Sequence, residues 1–540
     1  MTHRQIMEAL SGLLLGLFVA ILSSTVVSNA LPRIISDLDG SQSAYTWVVT
    51  STLLATTVST PIWGKLADLT SKKLLVQLSL LIFIVGSAAA GLSQNTGTLI
   101  AFRVVQGLGA GGLTALAQVI LASIIPPRER GRYNGYLGAV MAVGTIGGPL
   151  LGGVIVDTSW LGWRWCFYVG VPFALAALVV LQRTLRLPLV TRDVKVDYLG
   201  AVLVAASVSL LLIWVSLAGD TFAWWSGPTV AMVLGALVLA VLFVIVERRA
   251  AEPIIPMHFF RNSTLTLSVV ASLAVGTAMF GGTVFLSQYF QIARGDSPTM
   301  AGVMTLPMIV GLVASSTVVG RIISNSGKWK RYLVIGGILL IAGLALMGTV
   351  RAHTDYSLLA VYMFLIGCGV GMTMQNLVLA VQNTVPMHEL GAASSVVAFF
   401  RTLGGAIGVS ALGAVLASKV TTYTASGLAE LGVQPTGDGS LPDVHTLPAP
   451  LAAVIEDAYG HATGNIFLIA APIALIALIA ILFIREVPLR TAVEDTVEVA
   501  RGTGSEPVSV TTASPTDEAP VAADGEPRDA DKRGGAHPAR

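Results

Sequence analysis

Two arginines stand inside long apolar runs, Arg103 in LIAFRVVQGLGAGG and Arg401 in VAFFRTLGGAIG. A cation at the centre of a membrane-spanning helix costs about 2.5–3.5 kcal/mol or more. A partner, a solvent path or a function has to offset that. Arg103 lies about five residues from the end of its run, so snorkelling toward water would lower its penalty. Arg401 lies about ten residues into its run and has no obvious partner. Guanidinium stays protonated, so it can orient or neutralise a neighbour but cannot itself carry a proton across. A carboxylate in an apolar cavity can, because desolvation draws its titration toward neutrality. No Asp or Glu lies deep inside an apolar run. The first run carries hydroxyls and an amide instead, LSSTVVSNALP at 22–32, with Ser23, Ser24, Thr25, Ser28 and Asn29. Asp37 and Asp39 follow it, at a height that Arg103 can approach. Enzyme chemistry finds no support: there is no nucleophile–base pair and no metal-ligand cluster. GLGAGG falls within a helical run rather than after a strand, so it is no dinucleotide fingerprint. Cys166 and Cys368 are far apart and match no disulfide or metal spacing. No cofactor is expected.

The elements that must position these residues are membrane helices. The chain has 540 residues, of which 54% are hydrophobic and 11% charged, where a soluble protein has about a quarter charged. Apolar runs near 10–34, 44–66, 74–93, 98–124, 132–156, 164–182, 198–218, 229–246, 264–290, 299–322, 332–350, 357–381, 391–417 and 463–484 predict about fourteen spans of the length a bilayer requires. Residues 10–34 are too long for a signal-peptide core and read as a retained helix. Alternate loops hold the cations, among them Lys65, Lys72, Lys73, Arg128, Arg130, Arg183, Arg248, Arg249, Lys328 and Lys330. That bias predicts a cytoplasmic location for those loops and for both termini. The basic residues form no single patch, which excludes nucleic acid as a partner. Residues 418–462 read as a long external loop, and 486–540, rich in Ala, Pro, Thr, Glu and Gly, as a disordered tail.

The runs repeat. GKLADLTSKK at 64–73 is echoed by GRIISNSGKWK at 320–330, and QGLGAGG at 106–112 by IGCGVGM at 366–372. Two such pairs in the same order predict a first half at 1–182 and a second at 263–485. Two extra helices would link them at 183–262. Paired halves that rock about a midplane site are the architecture of secondary transporters. Three motifs stand out. In GKLADLTSKK, Gly64 allows close helix approach, Asp68 can pair with a basic residue, and Lys72 and Lys73 sit at the membrane face; together they could latch two halves. In RVVQGLGAGG, the glycines allow close packing. In GTIGGPLLGG at 144–153, Gly144, Gly148, Gly152 and Gly153 form one helical stripe, and Pro149 bends the helix.

These stretches resemble the conserved loop, the helix-4 arginine motif and the helix-5 antiporter motif of the major facilitator superfamily. With WRWCFYVGVP at 163–172 and fourteen spans, they resemble its fourteen-helix drug:proton antiporter branch. The resemblance covers roughly residues 10–485. It implies an all-α integral membrane fold of two six-helix halves plus two extra helices. It implies a conformational switch at Gly64, Asp68, Lys72 and Lys73, and an arginine linked to proton transfer at Arg103. The chain departs from the pattern at Leu69, Ser71 and Gly170, and most of all at Ser23, where the branch has an aspartate. With that position empty, Arg103 and Asp37 are the expected proton-coupling pair.

The substrate cavity is expected between the halves, with Ser24, Asn29, Trp63, Gln106, Gln118, Gln288, Gln375, Asn376 and Arg401 as its polar and aromatic groups. Adaptable methionines and a loose polar lining suit hydrophobic or amphipathic molecules. The expectation is a monomeric plasma-membrane exporter of small hydrophobic compounds by proton antiport. Without a deep acid, neutral or weakly charged substrates are favoured over dications. A dedicated exporter of one self-made metabolite or lipid is the alternative, as is a facilitator with no proton coupling.

Overall fold

The computed structural model describes residues 3–489 except 39–41, 126, 159, 186–196, 219–221, 297, 387–388 and 433–447. Sixteen α-helices are named here in chain order. They are α1 (His3–Asp37), α2 (Gln42–Leu69), α3 (Lys72–Gly91), α4 (Thr96–Ile124), α5 (Pro127–Asp157), α6 (Trp165–Tyr168), α7 (Gly170–Thr184), α8 (Tyr198–Leu217), α9 (Gly227–Glu247), α10 (Ser263–Gln288), α11 (Pro298–Met304), α12 (Leu306–Ser326), α13 (Lys330–Met347), α14 (Tyr356–Gln382), α15 (Leu390–Glu430) and α16 (Ala449–Phe483). The short α6 and α11 each run into the helix that follows. Among the described residues, twelve helical stretches are long and apolar enough to cross a membrane. The two remaining rods, α2 and α5, have 28 and 31 residues.

Side chains supplied by the sequence start these helices. Asn95, Asp197, Ser226 and Asp355 each accept a backbone N–H from the first turn of α4, α8, α9 and α14, which satisfies donors the helix leaves unpaired. Gly327, at φ +71°, ends α12 in a left-handed turn. The low hydropathy of α2 has a physical reason. Its hydroxyls bond across to carbonyls of α4: Thr52 to Arg103, Thr56 to Gly107 and Ser59 to Leu108, at 3.2–3.4 Å. A Cβ at Gly107 would press on the Thr52 carbonyl, and one at Gly111 would collide with Ser59.

The packing of the first helices recurs in the last. The pairs α2–α4, α3–α4, α1–α5, α1–α7 and α3–α7 have counterparts in α12–α14, α13–α14, α10–α15, α10–α16 and α13–α16. Across the two sets, α2 packs on α15 and α12 on α5. These two contacts exchange under the same correspondence. Each set has its own apolar core, and Met141 packs against both. Helices α8 and α9 pair through the Ser207 hydroxyl, which donates to the Ala236 carbonyl (2.9 Å). α8 also packs on α2 and α15, while α9 leaves most of its surface exposed.

Two sequence-based boundaries move. The 418–462 loop is largely helix: α15 continues to Glu430 and α16 starts at Ala449. These extensions pack on each other, with Val454 against Gly427 and Asn465 donating to the Tyr423 hydroxyl. The first residues of the expected tail at 486–540 are held in place, because Glu486 accepts the backbone N–H groups of Trp329 and Lys330 at the start of α13. Trp329 Nε1 donates to the Val487 carbonyl, and Leu489 is buried. Residues 490–540 lie outside the described residues.

Candidate functional site

Arg103 on α4 is 2% exposed, and its side chain turns inward rather than snorkelling to the helix end. Nε donates to the Val48 carbonyl (3.4 Å) and Nη1 to Gln106 Oε1 (2.7 Å). Gln106 Nε2 then donates to Ser87 on α3 (2.6 Å) and to Ser23 on α1 (3.0 Å). One buried polar chain therefore ties four helices together. Ser23, where a carboxylate was missed, is its end. Asp37 is exposed at the end of α1, and Arg103's bonds run to Val48 and Gln106, so this conformation does not bring the expected pair together. Ser87 was not anticipated. Nothing in its sequence setting separates it from a packing serine.

The conserved-loop residues meet the other half of the molecule. Asp68, at the end of α2, accepts the backbone N–H of Gly391 (2.9 Å) and of Ala392 (2.7 Å) on α15. The residue preceding α15, Glu389, makes no capping bond of its own. A carboxylate from α2 thus caps α15, with charge and helix dipole favourably aligned. The expected basic partner is replaced by a helix end. Close approach is needed for this: a Cβ on Gly64 would collide with Ser395, and one on Gly391 with Asp68. Lys72 acts on Asp68 through its charge. Lys73 donates to the Gln182 carbonyl at the end of α7 (2.8 Å). Lys65, buried, pairs with Glu252 at 2.6 Å. On the opposite flank Gly138 of α5 meets Ser316 of α12, and the Ser324 hydroxyl reaches the Glu129 carbonyl at 3.5 Å. The Ser324–Glu129 contact, like the Asp68 cap, lies at the cation-rich end of the helices, and Gly138–Ser316 lies deeper along them.

The glycine stripe of α5 packs on α1. Thr25 Oγ1 donates to the Gly144 carbonyl (3.1 Å), and a Cβ on Gly148 would collide with Thr25. Gly152 and Gly153 are buried, and the side chain of Pro149 lies outside the described residues. The second half reproduces the arrangement. Thr277 Oγ1 donates to the Gly404 carbonyl (2.8 Å), and a Cβ on Gly408 would collide with Thr277.

The expected cavity residues divide. Trp63 is engaged in packing, its Nε1 donating to the Leu108 carbonyl (2.9 Å). Gln106 belongs to the Arg103 chain. Ser24 and Gln288 are exposed, and the side chain of Asn29 lies outside the described residues. Gln375 and Asn376 are buried on α14, the latter bonded to its own helix through the Met372 carbonyl. Gln118 and Arg401 are buried, with Gln118 Oε1 and Arg401 Nη1 lacking partners. Glu247 is a buried acid. It ends α9 one residue past the expected boundary and accepts the N–H groups of Ile254 and Ile255. Among the described residues no group of metal-binding side chains occurs.

Comparison with known proteins agrees with this geometry. Residues 13–409 match the family model described as Major Facilitator Superfamily. An uncharacterised MFS-type transporter of Mycobacterium tuberculosis is 37% identical over 92% of this chain and 72% of its own length. Multidrug resistance protein 3 of Bacillus subtilis is 30% identical over 90% of this chain and 96% of its own. The proton:xylose symporter XylE, 14% identical, superposes with a TM-score of 0.56 over 87% of this chain and 95% of its own, a likeness of fold alone. With two sets of helices packed alike, a helix-capping latch between them and a family match over most of its length, the chain belongs to the Major Facilitator Superfamily.

Proposed function

We propose that the protein exports hydrophobic or amphipathic small molecules across the plasma membrane by alternating access, coupled to proton entry. The observation that carries this reading is the cap that Asp68 places on α15 from the other half. A bond made across the halves at one end can hold one state and must break in the other. The halves would be residues 1–182 and 263–485, and the protein would act as a monomer. The cation-rich end would face the cytoplasm with both termini, and the conformation described would then be the one closed inward. A relative named for multidrug resistance supports efflux, and the glycine packing of α1 on α5 falls on the stretch that resembles the antiporter motif. Proton coupling would involve Arg103 and Asp37. They would meet only after Arg103 leaves Gln106.

The test uses full-length protein in energised inside-out vesicles with a quenched pH dye, while neutral, cationic and anionic hydrophobic compounds are added. Dequenching that depends on the protein is expected, and Asp37→Asn should abolish it. Protein-dependent transport without dequenching would overturn proton coupling and favour a facilitator, the second reading, for which the hydroxyl at Ser23 is the specific observation. Asp37→Asn with intact dequenching would remove Asp37 from the path.

A further inference from the structure

We infer that Arg401 is the anchor of a binding site for an anionic amphipathic substrate, one bearing a carboxylate or similar acid on an apolar body; this rests on the exporter reading above.

Arg401 is 3% exposed, yet among the described residues its buried Nη1 finds no hydrogen-bond partner. Arg103, equally buried, shows what a structural arginine looks like in this fold, with a carbonyl and a glutamine oxygen on its donors. A buried charge without compensation is among the most destabilising features a core can hold. Its persistence calls for an occupant that brings the missing acceptors.

The position fits a substrate site. Gly144 and Gly404 are equivalent, each receiving a threonine hydroxyl from the first helix of its half. Three residues before each stand Met141 and Arg401. Met141 packs against the cores of both halves, so its equivalent faces the boundary between them. The height follows from a second bond. Gln382 of α14 donates to Ser394 of α15 (2.8 Å). Seven residues along α15 and seven back along the antiparallel α14 bring Arg401 and Gln375 to one level, about 10 Å above that bond. This is just past the closed end at Gly391 and near mid-membrane, where transporters of this architecture bind cargo. Gln118 on α4, which also packs against α15, offers a buried acceptor with no donor. By the repeat Gln118 corresponds to Val378, so its level along the bundle is within a turn of that of Gln375. An anion with a neighbouring hydroxyl or amide donor would satisfy both.

This revises the expectation of neutral substrates, which followed from the lack of a buried acid and left the unpaired cation unused. The test uses full-length protein in phosphatidylcholine nanodiscs. The probes are 9-anthracenecarboxylate, its methyl ester and a trimethylammonium analogue, read by anthracene fluorescence. Wild type should bind the carboxylate at least about tenfold more tightly than the ester. Arg401→Met, which copies the first half, should lose that preference while ester binding stays within about twofold; Arg401→Lys should keep part of it. Equal binding of acid and ester by wild type would overturn the proposal, as would failure to bind the acid at all or an equal loss of both in Arg401→Met. Vesicle export of the neutral or cationic probe without the acid would sink the anion site alone. Export of none of the three would sink the exporter reading with it.

Discussion

Arg103 shows how a cation is made tolerable in an apolar interior. Its charge is spread over the Val48 carbonyl and Gln106, and Gln106 is fixed in turn by Ser87 and Ser23. Truncating Gln106 to Leu would strip a charge-assisted bond and should lower stability by about 2 kcal/mol, measured by thermal unfolding in detergent. The second half has Met363 and Ile366 at the equivalent positions, so the double variant Arg103→Met/Gln106→Ile should recover most of that loss. Transport should not recover with it if the arginine has a functional role. Ser23→Asp places a carboxylate within reach of the same chain. It should shift transport toward cationic compounds, read as the ratio of cation to anion uptake in inside-out vesicles.

Between elements, what matters is how closely two backbones approach. Asp68 can cap α15 only because Gly64 and Gly391 let the helix ends touch. Asp68→Ala removes the cap, worth about 1 kcal/mol or somewhat more. The closed-to-open ratio should fall by roughly five- to tenfold, seen as faster maleimide labelling of a Ser395→Cys reporter. The α1–α5 and α10–α15 contacts are built alike, so Gly408→Val should impair transport as severely as Gly148→Val. Overpacking of this kind costs about 1–3 kcal/mol. A tolerant Gly408 in vesicle transport would show that the first-half stripe has a role beyond packing.

At the scale of the whole molecule, the two halves touch toward one end through α2–α15 and α5–α12. A Cβ on Gly138 would lie 3.2 Å from Ser316 Cβ, close to the separation a disulfide spans. Gly138→Cys/Ser316→Cys should therefore crosslink on oxidation, stop transport, and regain it on reduction. Crosslinking that leaves transport intact would mean that this interface does not open. The helices that carry these contacts could be read from the sequence because each is a long apolar run, and twenty such residues have few alternatives in a bilayer. The repeat was legible through the spaced glycines at 107, 109 and 111 and at 367, 369 and 371. So were the residues that approach another backbone, Gly64 and Gly148 among them. Helix ends beyond the membrane were not: the extensions of α15 and α16 are polar enough to pass for a loop, and the pinning of Glu486 on α13 depends on a partner more than 150 residues away. For the same reason the sequence suggested a basic residue, not a helix end, as the partner of Asp68.

Composition and periodicity by themselves determined that this is a helical membrane protein with two related sets of spans. They also placed two arginines where water is scarce, since local apolarity and glycine spacing are properties of a stretch. Which arginine is satisfied is not such a property. Arg103 meets Gln106 three residues away, but Ser23, Ser87 and Val48 come from three other helices. Arg401 is buried by the helices packed around α15, none of which, among the described residues, brings Nη1 an acceptor. Only the tertiary structure could separate the arginine with partners from the one without, because the desolvation of a charge is set by everything around it.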